Sequence, residues 1–326
     1  MSGRGGGVRV LTGAAAGALL AGAAAAPAQA QLLEEIAREI AQQQIDDNAD
    51  AALAILGISA VPSETASTLS FEGGSSRSDY DLSAAQLGGG FTLSERVPVY
   101  LEGFIGWNRY DPVLIINQEQ SSDRLPLKYT NVAATGGIGW DFEILDGLVL
   151  RPMGHVSIGR VQTDASVAAT ILAELLGLDV NFLKDGGYWA GGLGGSLSLA
   201  YNKRWENDYE VDLTVRHTHI RLESISGDFD AKADAITTGF WSRLRIPTGW
   251  RMFDRPVRIV TEASGSVLPG DQGRALATRW LVQGGLGGEI DLEETWAPFV
   301  TTTRLVARAT YGRNLTGFSI GLAASF

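Results

Sequence analysis

The sequence predicts a closed antiparallel up-and-down transmembrane β-barrel of about 12 strands, all-β apart from an N-terminal α-helix in or under the lumen. Three observations carry this expectation. From about residue 66 to the C-terminal Phe326, apolar residues recur at every second position in segment after segment. Several of these segments exceed the ordinary strand length of ~5–6 residues and approach the ~9–11 needed to cross a bilayer at a tilt. Finally, the connections sort by length, and the two longest fall on the same side of the barrel.

Residues 1–30 read as an export signal. Arg4 and Arg9 precede the small apolar run LTGAAAGALLAGAAAA, which ends in Pro27-Ala28-Gln29-Ala30. A positive n-region, a short h-region and an A-x-A site make a secretory signal peptide. Cleavage after Ala30 removes two of the 26 basic residues and none of the 37 acidic ones, leaving 24 − 37 = −13. A phosphate-binding surface needs clustered Lys and Arg, so nucleic acid is not an expected partner. Cysteine is absent, which excludes disulfides, thiolate nucleophiles and Cys-ligated metal. Beyond the signal, no apolar run approaches ~18 residues, so no membrane-crossing helix is expected. A mean hydropathy of +0.05 suits a barrel, in which only one face of each strand meets lipid.

Residues 31–62 form the N-terminal helical segment. Leu32, Leu33, Ile36, Ile40 and Ile45 recur at helical spacing, and an Ala-rich half follows through Ala51, Ala52, Leu53, Ile55 and Leu56. Gly57 and Pro62 are its expected stops. Residues 63–326 then form the barrel. One face of VPVYLEGFIGW carries Val97, Val99, Leu101, Ile105 and Trp107, and the other Tyr100, Glu102 and Asn108. VAATGGIGWDFEI sets Val132, Ile138 and Trp140 against Thr135, Gly137 and Asp141. YWAGGLGGSLSLAY sets Leu193, Leu197 and Leu199 against Gly192, Gly194, Ser196 and Ser198. YEVDLTVRH opposes Val211, Leu213 and Val215 to Glu210, Asp212, Thr214 and Arg216, and WLVQGGLGGEIDL opposes Val282, Leu286 and Ile290 to Gln283, Gly285 and Glu289. Weaker segments lie at about 66–73, 79–94, 148–162, 232–246, 256–267 and 298–311. The last strand, GFSIGLAASF, turns Phe318, Ile320, Leu322 and Phe326 to one side.

Working back from that strand, one set of connections is SERVP, LDG, NKRWEND, PTGWRMFDRP and EETWAP. The other holds GGSSRS, 111–128, 163–186, SGDFDAKAD, PGDQGRAL and GRNL, and so both of the longest. Short turns on the periplasmic side and longer loops outside are the habit of outer-membrane barrels. On this scheme both termini lie at the short-turn end. Trp107, Trp189, Tyr201, Tyr209, Trp280 and Tyr311 sit toward strand ends, where an aromatic belt meets headgroups.

Signal, helix and a β-pattern ending on alternating apolar positions and Phe together resemble an autotransporter translocator domain. The chain is most similar to solitary outer-membrane autotransporter barrels, which lack a passenger. The resemblance implies a barrel threaded by its N-terminal helix (Leu32, Leu33, Ile36, Ile40) and a terminal strand, Phe318, Ile320, Leu322 and Phe326, read by the outer-membrane barrel assembly machinery. It also implies a location in the outer membrane of a Gram-negative bacterium, among lipid and lipopolysaccharide. Almost nothing separates Ala30 from Leu32, so no passenger is expected. Gly192, Gly194, Ser196, Gly285 and Gly287 leave lumen volume that a helix could fill, although glycines also ease strand coiling.

Candidate chemistry is sparse. In RHTHIR, His217 and His219 share one face of a strand, where a metal with a third ligand or acid–base work would be conceivable, and polar residues at a membrane interface are the simpler expectation. His155 is followed by Val156-Ser157 with no Asn-Gly, unlike the His-x-Ser-Asn-Gly run of an outer-membrane phospholipase. No catalytic, cofactor-binding or metal-binding residue is expected. In the loop at 163–186, Ile171, Leu172, Leu175 and Leu176 lie at helical spacing and suggest a short helix that either caps the barrel or folds inward as a constriction or binds a partner. Two functions remain open: a plugged barrel without catalysis, or a porin-like diffusion channel; a membrane lipase or protease stands third.

Overall fold

The period-two pattern becomes a single antiparallel sheet. The computed structural model describes residues 49–63, 68–75, 78–115, 124–126, 128–163, 187–226, 230–291, 302–313 and 315–325. Its strands are β1 (Thr68–Ser75), β2 (Ser78–Thr92), β3 (Val99–Ile115), β4 (Arg124–Pro126), β5 (Tyr129–Trp140), β6 (Phe142–Leu145), β7 (Leu148–Thr163), β8 (Gly187–Arg204), β9 (Glu210–Ser224), β10 (Lys232–Met252), β11 (Arg255–Val267), β12 (Trp280–Asp291), β13 (Thr302–Gly312) and β14 (Leu315–Ser325). Two helices accompany them, α1 (49–60) and the single turn α2 (Asp271–Ala275).

Each long strand pairs with its sequence neighbours. β4 only extends the β3 tip and β6 lies along β7, so β5 pairs directly with β3 and β7. The circuit closes because β1 pairs β14, from Thr68↔Ile320 to Gly73↔Leu315, and also pairs β2. Setting aside β4 and β6, 14 − 2 = 12 strands form a closed barrel. Closure removes the sheet edges that a bilayer would leave without hydrogen-bond partners. The closing strand is thus held by the first, as the alternation in GFSIGLAASF requires.

The two faces separate as expected. Ile105, Leu193, Leu286 and Leu322 are 62, 69, 63 and 65% exposed on the outside. Glu102, Thr135, Arg216 and Glu289 point inward and are buried. The strands run to 21 residues in β10, ample for a tilted span. No helix among the described residues is long and apolar enough to cross a membrane. The connection expected at 247–256 is much tighter than the sequence suggests. β10 and β11 continue to Met252 and from Arg255, and turn on Phe253 and Asp254 with φ of 55° and 61°. Two successive positive φ values match the right-handed twist of a hairpin.

Helix α1 lies inside the barrel. It is apolar all round, with Ala52, Leu53, Ile55, Leu56 and Ala60 buried, and such a helix needs cover on every side. Tyr129, Val161, Tyr188, Ile220, Leu222 and Ala235, all on the inner wall, supply it. Its two ends are held at different levels of the barrel. Ala49 and Asp50 bond to Tyr188 and Lys232, at the long-loop ends of β8 and β10, whereas Ser59 and Val61 bond to Gln86, halfway down β2. Helix α1 thus runs from the long-loop end down to the middle of the wall; residues 1–48, and with them the N-terminus, lie outside the described residues. Gly57 does not stop the helix, which continues to residue 60. A Cβ at Gly57 would lie 2.8 Å from Ala235 Cβ, so this glycine lets the helix approach β10.

Candidate functional site

Among the described residues, the interior side chains form two layers, one around α1 and one beneath it. In the long-loop half, wall side chains grip the backbone of α1. Tyr188 donates its hydroxyl to Ala49 O at 2.8 Å, and Asn108 Nδ2 donates to Ile55 O at 2.9 Å and Ser59 Oγ at 2.7 Å. Asn131 Nδ2 donates to Asn108 Oδ1, fixing that amide's orientation. Thr135 Oγ1 donates to Ala60 O at 2.7 Å. Gln86 works in both directions: its Nε2 donates to Ser59 O and Val61 O, and its Oε1 accepts from Ser63 N. The last carbonyls of a helix have no partner within it; Gln86 and Thr135 serve those of Ser59 and Ala60 and cap the C-terminus of α1, while Tyr188 holds its first turn. The helix also sits against glycines, since a Cβ at Gly106 would collide with Ser59, and one at Gly159 would reach 2.8 Å from Leu56.

The mouth above is covered by the β11–β12 connection. Leu268 and Leu276 pack with Ile55, Leu82 and Leu315. Gln272 of α2 donates to Ile236 O and accepts from Ile236 N, pinning the connection to β10.

Beneath the helix, an ion pair spans the lumen. Arg216 on β9 donates Nη2 to Glu102 Oε1 of β3 at 2.6 Å and Nη1 to Glu102 Oε2 at 3.1 Å. In strand order, β5, β7 and β8 stand between β3 and β9, so this is a chord across the pore rather than a neighbour contact. His155 adjoins it, with Nε2 2.8 Å from Ser196 Oγ and Nδ1 3.4 Å from Glu102 Oε1. Lower still, the β9–β13 wall carries Arg243, Arg245, Arg258, Arg304 and Arg308 interleaved with Glu210, Asp212, Glu262 and Glu289. Arg245 touches Glu210 at 2.7 Å, Asp212 at 2.8 Å and Glu289 at 3.2 Å. Arg243 and Arg308 converge on Glu262, and Arg258 and Arg304 on Glu289. Buried charges persist when paired and hydrogen-bonded, and the wall satisfies that condition with carboxylates shared between strands.

The sequence-derived sites fare unevenly. Phe318, Ile320 and Leu322 are exposed on the outer face of β14, while Phe326 lies outside the described residues. So do Leu32, Leu33, Ile36 and Ile40, the residues expected in the lumen helix; the helix seen in the lumen is the Ala-rich half that follows them. His217 and His219 face outward and bond to Thr238 and Asp234. No cluster of three metal-ligating side chains occurs among the described residues. Of the glycines expected to make room for a helix, Gly192 accommodates Leu222 and Ile220, and Gly194 and Gly287 abut neighbouring strand backbone. The glycines that do face α1 are Gly106 and Gly159, which sequence reasoning missed. It also missed Gln86, whose signal is an inward amide between outward Ala85 and Leu87.

Closed wall, apolar outer band and polar, charge-lined interior define a transmembrane β-barrel whose lumen is occupied by its own helix. Among solved structures the fold is similar to three autotransporter domains. The β-domain of the Bordetella autotransporter BrkA is 15% identical, covering 80% of this chain and 97% of that one, with a TM-score of 0.47. The transport unit of AIDA-I from Escherichia coli is 12% identical, covering 87% and 98%, with a TM-score of 0.48. The translocator domain of NalP from Neisseria meningitidis is 12% identical, covering 80% and 86%, with a TM-score of 0.43. No protein-family model matches the sequence, and no curated protein matches it.

Proposed function

We propose that this chain is a non-enzymatic outer-membrane barrel of the autotransporter translocator type, held shut by its own helix. The observation that carries the reading is the seating of α1, whose backbone carbonyls are bonded to side chains of β2, β3, β5 and β8 above the Arg216–Glu102 chord. A helix gripped in this way is a plug, and a diffusion channel would leave that volume to water. Catalysis has little to support it. His155 and Ser196 are buried beneath the helix, and His217 and His219 lie on the lipid-facing side. In this reading residues 1–30 direct export. No passenger is assigned, because only residues 31–48 lie between that signal and α1.

Planar-bilayer conductance tests the plug. The intact protein should stay closed, and deletion of residues 31–60 should open a steady pore; an intact protein that conducts as freely as the deletion would refute it. The terminal strand is proposed to be the assembly signal, since Phe318, Ile320 and Leu322 present one outward apolar row. Phe326→Ala should reduce the amount of heat-modifiable barrel in outer-membrane fractions, and unchanged amounts would remove that role.

A further inference from the structure

One cross-strand row on the outer wall marks where the apolar band ends. Trp107 of β3 stands opposite Val132 of β5, Val132 opposite Arg160 of β7, and Arg160 opposite Trp189 of β8. The row faces outward, since the inward neighbours Asn108, Asn131, Val161 and Tyr188 are buried. Toward the short turns the outer face is apolar, with Ile105, Val156, Ile158 and Leu193 exposed. Toward the long loops the next outward row is polar, and runs Arg109, Thr130, Gln162. Tryptophans at such a boundary form the aromatic belt that meets headgroups.

Arg160 is the exception in that row. A guanidinium on a lipid-facing wall is costly without a counter-charge. Among the described residues Arg160 has no carboxylate partner, and its Nε is buried without a hydrogen bond. Its Cζ lies 5.4 Å from the centre of the Trp189 ring, a cation–π contact that steadies the group and leaves its charge uncancelled. Other outward arginines are paired: Arg221 bonds Glu223 at 3.0 Å, and Arg109 lies 3.6 Å from Asp111, which Lys128 shares at 3.9 Å. This corner of the wall therefore sets Arg109, Lys128 and Arg160 against Asp111, 3 − 1 = +2. Arg109 stands one row further toward the loops and two strands away, about 12 Å by the spacings of a sheet, so the cations share one headgroup-sized area.

We propose that Arg160, stacked on Trp189, binds the phosphate of a lipid in the leaflet at the long-loop end, which in an outer membrane is lipopolysaccharide. The guanidinium fork matches phosphate oxygens, Arg109 and Lys128 supply a positive surround, and the acyl chains lie against the exposed Val132, Val156 and Ile158. The site rests on the bilayer placement proposed above, which vesicle flotation checks separately. Protein that does not float removes the placement and the site with it, whereas protein that floats without the preference below removes only the site. The full protein in detergent micelles would be titrated with diphosphoryl lipid A and, in parallel, with its dephosphorylated form, and the bound lipid counted by native mass spectrometry. One diphosphoryl lipid should be retained, and the dephosphorylated form should bind about tenfold more weakly, since hydrogen bonds between charged groups are at stake. Arg160→Gln should bring the phosphorylated lipid down to the level of the dephosphorylated one, and Trp189→Leu should weaken it about threefold. Arg221→Gln, which removes an outward arginine already paired with Glu223, should bind like the wild type. Equal retention of the two lipids by the wild type would overturn the proposal even if Arg160→Gln did not fold. So would Arg160→Gln binding like the wild type, an equal loss in Arg221→Gln, or displacement of the lipid by millimolar inorganic phosphate, which would mark a site for free anions.

Discussion

Gly106→Val gives the most direct test of whether the seated helix governs the pore. A Cβ at this inward position would lie 2.8 Å from Ser59 Cα and closer still to its carbonyl oxygen. Backbone atoms cannot swing aside as a side-chain end can, so the last turn of α1 must move. Overpacking of this kind costs about 1–3 kcal/mol. The Gln86 and Asn108 hydrogen bonds to Ser59 are strained in the same movement, at about 1 kcal/mol each. A total of about 3 kcal/mol against the seated state raises the ratio of open to closed barrels about 100-fold, and the lower bound of about 1 kcal/mol still gives roughly fivefold. Valine suits a strand, so the barrel should keep its heat-modifiable migration. Single-channel recording reads the ratio as cumulative open time. Gly103→Val is the control, because Gly103 faces outward and nothing lies within 4 Å of its added Cβ. A folded Gly106→Val barrel with the open time of the wild type would refute the idea that the seating of α1 closes the pore.

Two further outcomes probe the interior charge and the outer band. Arg216→Met strands the Glu102 carboxylate, whose side chain is 1% exposed, and should cost about 3–5 kcal/mol, read as a lower temperature for conversion of the heat-modifiable band. The double variant Arg216→Met, Glu102→Gln should recover most of that loss; no recovery would mean the pair is not an isolated chord. Leu286→Arg, on the lipid face of β12, should destabilise the barrel by about 2–4 kcal/mol in urea unfolding from vesicles. Trp250→Arg, at the short-turn rim, should cost no more than about 1 kcal/mol, and equal costs at the two positions would argue against a bilayer around β12.

The sheet was largely legible because a period of two states the face of every residue. Outward Leu193 and Leu286, inward Glu102, Asp212 and Arg216, and the sorting of the loops all follow from alternation and length. Closure was legible from the greasy face of the last strand, which had to be held by the first. What alternation cannot supply is the distance between strands remote in sequence. Glu102 and Arg216 each read as inward, but their meeting across the lumen depends on barrel size and strand stagger. The helix shows a related limit. Ala, Leu and Ile around its whole circumference predict burial, yet its position inside the barrel emerges only with Gly57, Gly106 and Gly159, each at a point of close approach. The same glycine letters also serve strand coiling, which is why Gly194 and Gly287 were plausible in sequence and are occupied by backbone in the structure.

The attachment of α1 to the wall has a kinetic consequence. Five peptide steps separate Ser63, held by Gln86, from Thr68, held by β2 and β14. A chain of that length reaches about 17 Å, so an unseated helix stays leashed beside its own socket. Its return is intramolecular, at an effective concentration of order millimolar. Reclosing should therefore be first-order and independent of protein concentration. A synthetic copy of residues 49–63 added from outside should compete only when it, too, approaches millimolar levels.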